Sequence, residues 1–333
     1  MPRRHEVSTI GFVLSFFAAA ICRASDPGDQ AEWVAYRHDA KALYSAEGHL
    51  RSNGTIAFDK RPCDIDICDP QSGAKTSTLA TLGSRISQIA ISADDKNLLC
   101  ATHYDGVQLI DISSGKATKV NSHSGKVFSI AYASDGAWAC GFGDGTIEFH
   151  DSKNNTSSWL ATSAKDHPVV ALAFLKRNGA QELASGSDNR DEPAVQFWDL
   201  SKNGSADGSL QTNHTRVLSI AVNSDGTRLA TGGPAGEVDL FDVASQRILW
   251  TKKGASGENQ VFGLAFQRND QRVACAPAGA APAISFMTVE NGDGSVVATV
   301  NGHTGGNRSI SFTDSTIASG GDDGASVSVA KLP

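Results

Sequence analysis

Residues 195 to 200 read VQFWDL, a short alternation of apolar and polar side chains that stops on Asp199. Period-two alternation over a few residues is the mark of a β-strand with two different faces. Looser copies stand elsewhere: VQLIDI from 107, IEFHDS from 147 and VDLFDV from 238, each with its polar residue second and its Asp fifth. A strand that ends on the same carboxylate in several places is a repeated unit, and the Asp marks its register.

Aligning on that marker puts Asp69, Asp111, Asp151, Asp199, Asp242, Thr288 and Lys331 in one column, with steps of 42, 40, 48, 43, 46 and 43 residues. A period in the low forties with several short strands per unit is the signature of a propeller blade. The pattern upstream of the marker recurs as well. HSGKVFSIAYASDGAWACGFGDGTIEFHD (123 to 151) and HTRVLSIAVNSDGTRLATGGPAGEVDLFD (214 to 242) each hold a strand, a Ser-Asp-Gly turn, a second strand, a Gly-rich turn and a third strand. With 33 Gly, 2 Met and 20% charged residues, the composition agrees with a folded protein rich in turns.

On these residues the chain resembles the WD-repeat β-propeller family over nearly all its length, with degenerate repeats. Only the fourth unit keeps Trp198-Asp199, and only the seventh keeps Gly302-His303 in the family's place. The resemblance implies an all-β fold: a seven-bladed β-propeller of four-stranded antiparallel blades, closed by pairing of N-terminal and C-terminal strands. In the first unit His38 is taken as the repeat histidine and Gly48-His49 as part of a turn. Under that register AEWVAY (31 to 36) lies beside SVSVAKL (326 to 332) as the closing strand.

The first residues place Arg3 and Arg4 before an apolar run from Ile10 to Ile21, with Ala24 at the small position before a cut. This is the layout of a secretory signal peptide, and twelve apolar residues fall short of the roughly 20 that span a bilayer. The expected organisation is a signal peptide over 1–24 and a single propeller over 25–333. The product is expected in the periplasm or outside the cell, monomeric, and from a bacterial source. Removing Arg3, Arg4, Arg23 and Glu6 leaves 26 basic and 35 acidic residues, a net charge of −9. Nucleic acid is not an expected partner, since non-specific affinity for it needs clustered Lys and Arg and no basic run exists.

The residues that look chemical find structural explanations. His38, His123, His167, His214 and His303 occupy one repeat column and therefore belong to different blades, too far apart to share a metal. The resemblance implies a hydrogen-bonded set of His, Ser, Asp and Trp within a blade, complete only in unit four as His167, Ser185, Asp188 and Trp198, with Asp191 competing for the place of Asp188 because an insertion falls there. The marker Asp should cap the turn into the next strand by accepting backbone N–H groups. Cys100, Cys140 and Cys275 share a column with Ser185, Thr231 and Ser319, which is a packing position. Cys63 and Cys68 remain open to local pairing in an oxidising compartment.

Metalloprotease, nucleophile-elbow and phosphate-loop motifs are missing, and no cofactor or metal is expected. The expected function is a non-catalytic protein-interaction platform, a scaffold or adaptor. The alternative is an exported propeller enzyme, a quinone-dependent dehydrogenase or a hydrolase. In the family the docking face carries the residues just after the His column. Position by position these include Lys126, Phe128, Val170, Arg216, Leu218, Gln260, Phe262 and Arg308, an apolar arc with a cationic rim. The apolar members either anchor a partner or fill the narrow end of a channel. The insertion DNRDEP (188 to 193) falls on the same face.

Overall fold

The computed structural model describes residues 30–36, 42–48, 62–121, 123–151, 156–160, 166–177, 179–190, 194–202, 204–252, 260–278, 283–288, 294–301, 303, 307–321 and 328–331. Apart from one short 3-10 turn at Leu200–Lys202, the regular structure among them is strand. Among the described residues seven antiparallel sheets follow one another along the chain. The first contains β1 (Gln30–Tyr36), β2 (Leu43–Gly48), β3 (Cys63–Cys68) and β4 (Lys75–Leu82). The second holds β5 (Ile86–Ile91), β6 (Asn97–Thr102), β7 (Gly106–Asp111) and β8 (Ala117–Lys119), and the third β9 (Val127–Tyr132), β10 (Trp138–Phe142), β11 (Ile147–Asp151) and β12 (Thr156–Leu160). β13 (Val169–Arg177), β14 (Ala180–Ser187), β15 (Ala194–Asp199) and β16 (Ser205–Gln211) form the fourth. The fifth consists of β17 (Ser219–Val222), β18 (Arg228–Gly232), β19 (Val238–Asp242) and β20 (Arg247–Lys252). β21 (Gln260–Phe266), β22 (Arg272–Ala278), β23 (Ala283–Thr288) and β24 (Val296–Asn301) make the sixth, and β25 (Asn307–Phe312), β26 (Thr316–Gly321) and β27 (Ser328–Lys331) the last.

Each sheet runs in simple up-and-down order, so short hairpin turns suffice to connect its strands. The third strand always reaches the marker column: β3 stops at Cys68 beside Asp69, and the other six end on Asp111, Asp151, Asp199, Asp242, Thr288 and Lys331. The first strands β5 and β17 are buried throughout, whereas last strands such as β8 and β24 lie mostly in solvent. A strand buried on both faces reads as a near-continuous apolar run, which is why ISQIAI and SIAV lack clean alternation.

The core lies between sheets. Ala171, Ala184, Val195 and Phe197 of the fourth sheet pack against Val217, Ile220, Leu229 and Phe241 of the fifth. First strands pack in succession, β5 on β9, β9 on β13, β13 on β17, β17 on β21 and β21 on β25, while β1 touches β5 on one side and β25 and β26 on the other. Ser129 Oγ donates to the Val169 carbonyl at 2.7 Å and Ser219 Oγ to the Val261 carbonyl at 2.8 Å, tying each first strand to the next. In the adjacent middle strands a Cβ on Gly186 would lie 2.5 Å from Val217 Cγ1, and one on Gly232 would lie 2.6 Å from Val261 Cγ1. The sheets approach closely because these positions carry no side chain.

Two expectations about the first unit are corrected. Residues 31–36 do not pair beside the last sheet's outer strand: β1 pairs with β2 and is the first strand of its own sheet, and the last sheet has three strands among the described residues. Residues 43–48, a first strand under the His38 register, are instead a second strand, with Leu43 opposite Cys68. A short apolar run of this kind carries no periodicity that separates a first from a second strand. His38, His49 and residues 1–29 lie outside the described residues.

All five cysteines among the described residues are buried, Cys100, Cys140 and Cys275 at their packing positions. Cys63 and Cys68 sit at the two ends of β3. Five residues of strand separate their Cα atoms by about 16 Å, beyond the roughly 7 Å that a disulfide bridges.

Replacing Gly186 or Gly232 by Val should lower stability by about 1–3 kcal/mol per site through overpacking. Denaturant unfolding measures it, with Gly208→Ala, where the nearest atom stands at 3.9 Å, as the comparison for backbone strain without crowding.

Candidate functional site

The marker carboxylates do what their repetition implies. Asp69 Oδ1 accepts the N–H groups of Gln71 and Ser72 at 3.1 and 2.7 Å. Asp111 accepts from Ser114 N at 2.8 Å, Asp199 from Ser201 N at 2.9 Å and Asp242 from Ser245 N at 2.8 Å, with a serine hydroxyl joining in each turn. Hydrogen bonds to the ionised form lower these carboxyl pKa values, through Ser72 at Asp69, Ser113 and Ser114 at Asp111, and Ser245 at Asp242. Lys202 and Ser201 bring Asp199 down to about 2.

The His-Ser-Asp-Trp set of unit four forms only in part. Trp198 Nε1 donates to Ser185 Oγ at 2.8 Å, but Asp188 pairs with Arg216 at 2.6 Å and no bond joins it or Ser185 to His167. Pieces of the set appear in other units. His123 Nε2 lies 3.0 Å from Asp144 Oδ2, His214 Nε2 2.8 Å from Thr231 Oγ1, and His303 Nε2 2.6 Å from the Ser319 carbonyl. His214 is buried, and its burial lowers its pKa. No group of His, Cys, Asp and Glu among the described residues is arranged to hold a metal ion.

A set that the sequence reading missed runs three positions before the marker. Asp66, Glu148 and Asp239 are each at most 1% exposed. Glu148 Oε2 accepts His123 N at 3.0 Å, while Asp239 accepts Asn213 N at 2.7 Å and Thr251 Oγ1 at 2.6 Å, with His214 Nε2 at 3.6 Å. Asp66 takes Thr78 Oγ1 and Lys75 Nζ, both at 2.7 Å. These buried acids fasten the third strand to the last strand or to the loop that opens the unit. The signal was present in the polar second residue of IDICDP, IEFHDS and VDLFDV, which alternation alone assigns to solvent.

The expected docking residues lie at the start of the first strands and divide by burial. Val170, Leu218 and Phe262 form one cluster, at 3%, 0% and 2% exposure, and Phe128 is 5% exposed with His103 edge-on to its ring. Val170, Leu218 and Phe262 thus pack on one another as an apolar plug, and Phe128 belongs to the core cluster of Ile86 and Ile89. Lys126 is exposed, and Arg216, Gln260 and Arg308 are half-buried. The Arg308 guanidinium sits 4.8 Å over the Phe262 ring, a cation-π contact that fixes the charge above the plug. Of the insertion, Asp188 supports Arg216, and residues 191–193 fall outside the described residues. An exposed pocket of 450 Å³ beside the plug is lined by Ser124, Lys126, Phe128, Asp144 and Asp166 among others.

Residues 115–151 match the family model described as WD domain, G-beta repeat. The chain is 29% identical to the target of rapamycin complex subunit wat1 of Schizosaccharomyces pombe, over 55% of this chain and 57% of that protein. It is 26% identical to the U3 small nucleolar RNA-associated protein 15 homolog of Gallus gallus, over 39% of this chain and 23% of the relative. A third relative, WD repeat-containing protein slp1 of the same yeast, is 29% identical over 43% of this chain and 28% of its own length. The match thus covers less than two thirds of each relative. Together with the all-β sheets, these findings support the WD40 repeat family, and none of the three names denotes an enzyme. All three relatives are eukaryotic; the bacterial and exported readings come from the leader alone. No helix among the described residues is long and apolar enough to cross a membrane.

Acid should weaken the fold in two stages. Burial lowers the pKa of His214 and of His150, so their contribution is complete above the ordinary histidine value of 6.5 and is lost as pH falls below it. The marker carboxylates add stability above 3.8 that disappears as pH falls through their depressed values. Thermal unfolding followed from pH 8 to pH 2 should show both losses, and a His214→Gln variant should flatten the first.

Proposed function

We propose that this chain is a seven-bladed propeller that serves as a non-catalytic interaction platform, docking a protein partner on the face that carries Lys126, Arg216, Gln260 and Arg308. The blade count is supported by seven successive antiparallel sheets and by first strands that pack in sequence, with β1 touching both the second sheet and the last. Propeller and leader divide the chain into a signal peptide over 1–24 and a single domain over 25–333, a monomer that acts in the periplasm or outside the cell. The leader layout of Arg3, Arg4, Ile10 to Ile21 and Ala24 supports export.

The observation that carries the docking reading is the cationic rim over a closed apolar plug. Three positive side chains from three different sheets surround residues that add no exposed apolar patch, in a chain of net charge −7. Such a rim selects by charge and orientation, and Arg is enriched among the side chains that dominate interfaces. Phe128 and Phe262 act beneath it as support. One of the relatives is by its name a complex subunit, which agrees with a surface built for association.

Charge reversal at Lys126 and Arg308 should abolish recovery of the co-purifying partner while the chain stays folded, because the exposed Lys126 contributes less than about 0.5 kcal/mol and Arg308 loses a cation-π contact of about 0.5–2 kcal/mol. Phe262→Ala should instead cost about 3–5 kcal/mol of stability. An unchanged partner profile in the folded double reversal would exclude this face. Intact mass from the native host tests export: the expected mature chain begins at Ser25.

A further inference from the structure

At the opposite end of the same first strands lies a cavity of 440 Å³. Ile91, Tyr132, Phe174, Leu175 and Val222 line it from four successive sheets, and the turns at 133–134 and 223–226 form its rim. The plug residues sit where these strands begin and the cavity where they end: Leu218 and Val222 are separated by about 13 Å of strand. The two mouths are therefore separate sites. A largely apolar cavity of this volume, with a few polar groups converging on it, has the form of a small-molecule site.

The charge around the mouth decides what it takes. Asp225 lines the cavity directly. Asp135 accepts Gln181 Nε2, a lining side chain, at 3.4 Å, and Asp94 accepts the hydroxyl of Ser92, which lies between the lining residues Ile91 and Ala93, at 2.7 Å. All three come from one recurring position, the turn after the first strand, and each accepts a backbone N–H of that turn: Lys96 N for Asp94, Ala137 N for Asp135 and Thr227 N for Asp225. The turn chemistry that starts the second strand thus places three carboxylates around one opening. Lys176, whose backbone lies against Gly226 beside Asp225, is the one cation among the lining residues, while Lys96 pairs with Asp94 at 3.2 Å and Arg228, near Asp225, pairs with Asp242 at 2.6 Å. Inside, the rings of Tyr132 and Phe174 offer faces that attract a cation.

We propose that this cavity binds a small amphipathic amine, with its apolar body against Phe174, Leu175 and Val222 and its ammonium group at the mouth beside Asp135 and Asp225. An ammonium there gains charge-assisted bonds from the rim and a cation-π contact from the rings. A carboxylate on the same body would find only Lys176 and would face the acids.

The test is calorimetric titration of the full chain with 2-phenylethylamine and with 3-phenylpropanoate, which share a body and differ in charge. The amine should bind near or below about 1 mM, the carboxylate at least tenfold more weakly, and the ring resonances of Tyr132 should shift only with the amine. The double variant D135N/D225N keeps an oxygen to accept each turn N–H and should lose at least tenfold in amine affinity with its unfolding temperature unchanged. Absence of amine binding, equal or tighter binding of the carboxylate, or full amine affinity in the folded double variant would each overturn the proposal. The two-probe comparison on the unaltered protein decides the matter even if the double variant fails to fold.

Discussion

Everything in this molecule hangs on how closely neighbouring first strands approach. A strand buried on both sides has to satisfy two sheets at once, and the room for error is set by side-chain volume in a close-packed interior. Ser129 and Ser219 reach the carbonyls of Val169 and Val261, while glycine in the adjacent middle strand leaves space for the same valine. The hydroxyl makes the approach specific and the missing side chain makes it possible. Where the fourth sheet places Ala171 in the serine column, the valine contact to Gly186 remains and the hydroxyl bond does not, so apolar packing carries that junction.

The second tier of organisation is polar and buried. Glu148 and Asp239 accept backbone N–H groups from the loops that open their own units, so the third strand holds the loop from which the first strand departs. Removing water from an acid is costly unless every lone pair is answered, and Asp239 meets that condition with Asn213, Thr251 and His214 around it. A network of this kind fixes the loop's conformation more tightly than apolar contact alone, and the loop is what bears Lys126 and Arg216.

The repeat was legible because its marker does the same job in four units. Asp69, Asp111, Asp199 and Asp242 cap equivalent turns, so the column in the sequence is there a column in space. Strand ends followed from it throughout. Burial of the second residue in the motif was not legible, because alternation shows that two faces differ without showing that one of them is wet. Asp66, Glu148 and Asp239 are buried, and a local pattern cannot distinguish a hydrogen-bonding partner from solvent. The first unit failed for a related reason: LYSA resembles VFSIA in hydrophobicity, and only the partner across the sheet reveals which strand it is.

Reading the apolar arc correctly also needed the third dimension. Phe128, Val170, Leu218 and Phe262 stand at the positions that the family resemblance assigns to docking, and their types suit an interface. Yet all four are buried: Val170, Leu218 and Phe262 pack on one another, and Phe128 joins the core cluster that holds Ile86 and Ile89. What this packing leaves outside is charge held in place, Arg308 by the ring beneath it and Arg216 by Asp188. At the other end of the strands the residues filling the middle are no longer facing aromatic plugs, and the turns diverge enough to leave a cavity ringed by the carboxylates that shape those turns. One repeated unit thus yields two unlike ends: packed with apolar side chains where the first strands begin, and hollow, with Asp225 among the lining residues, where they end.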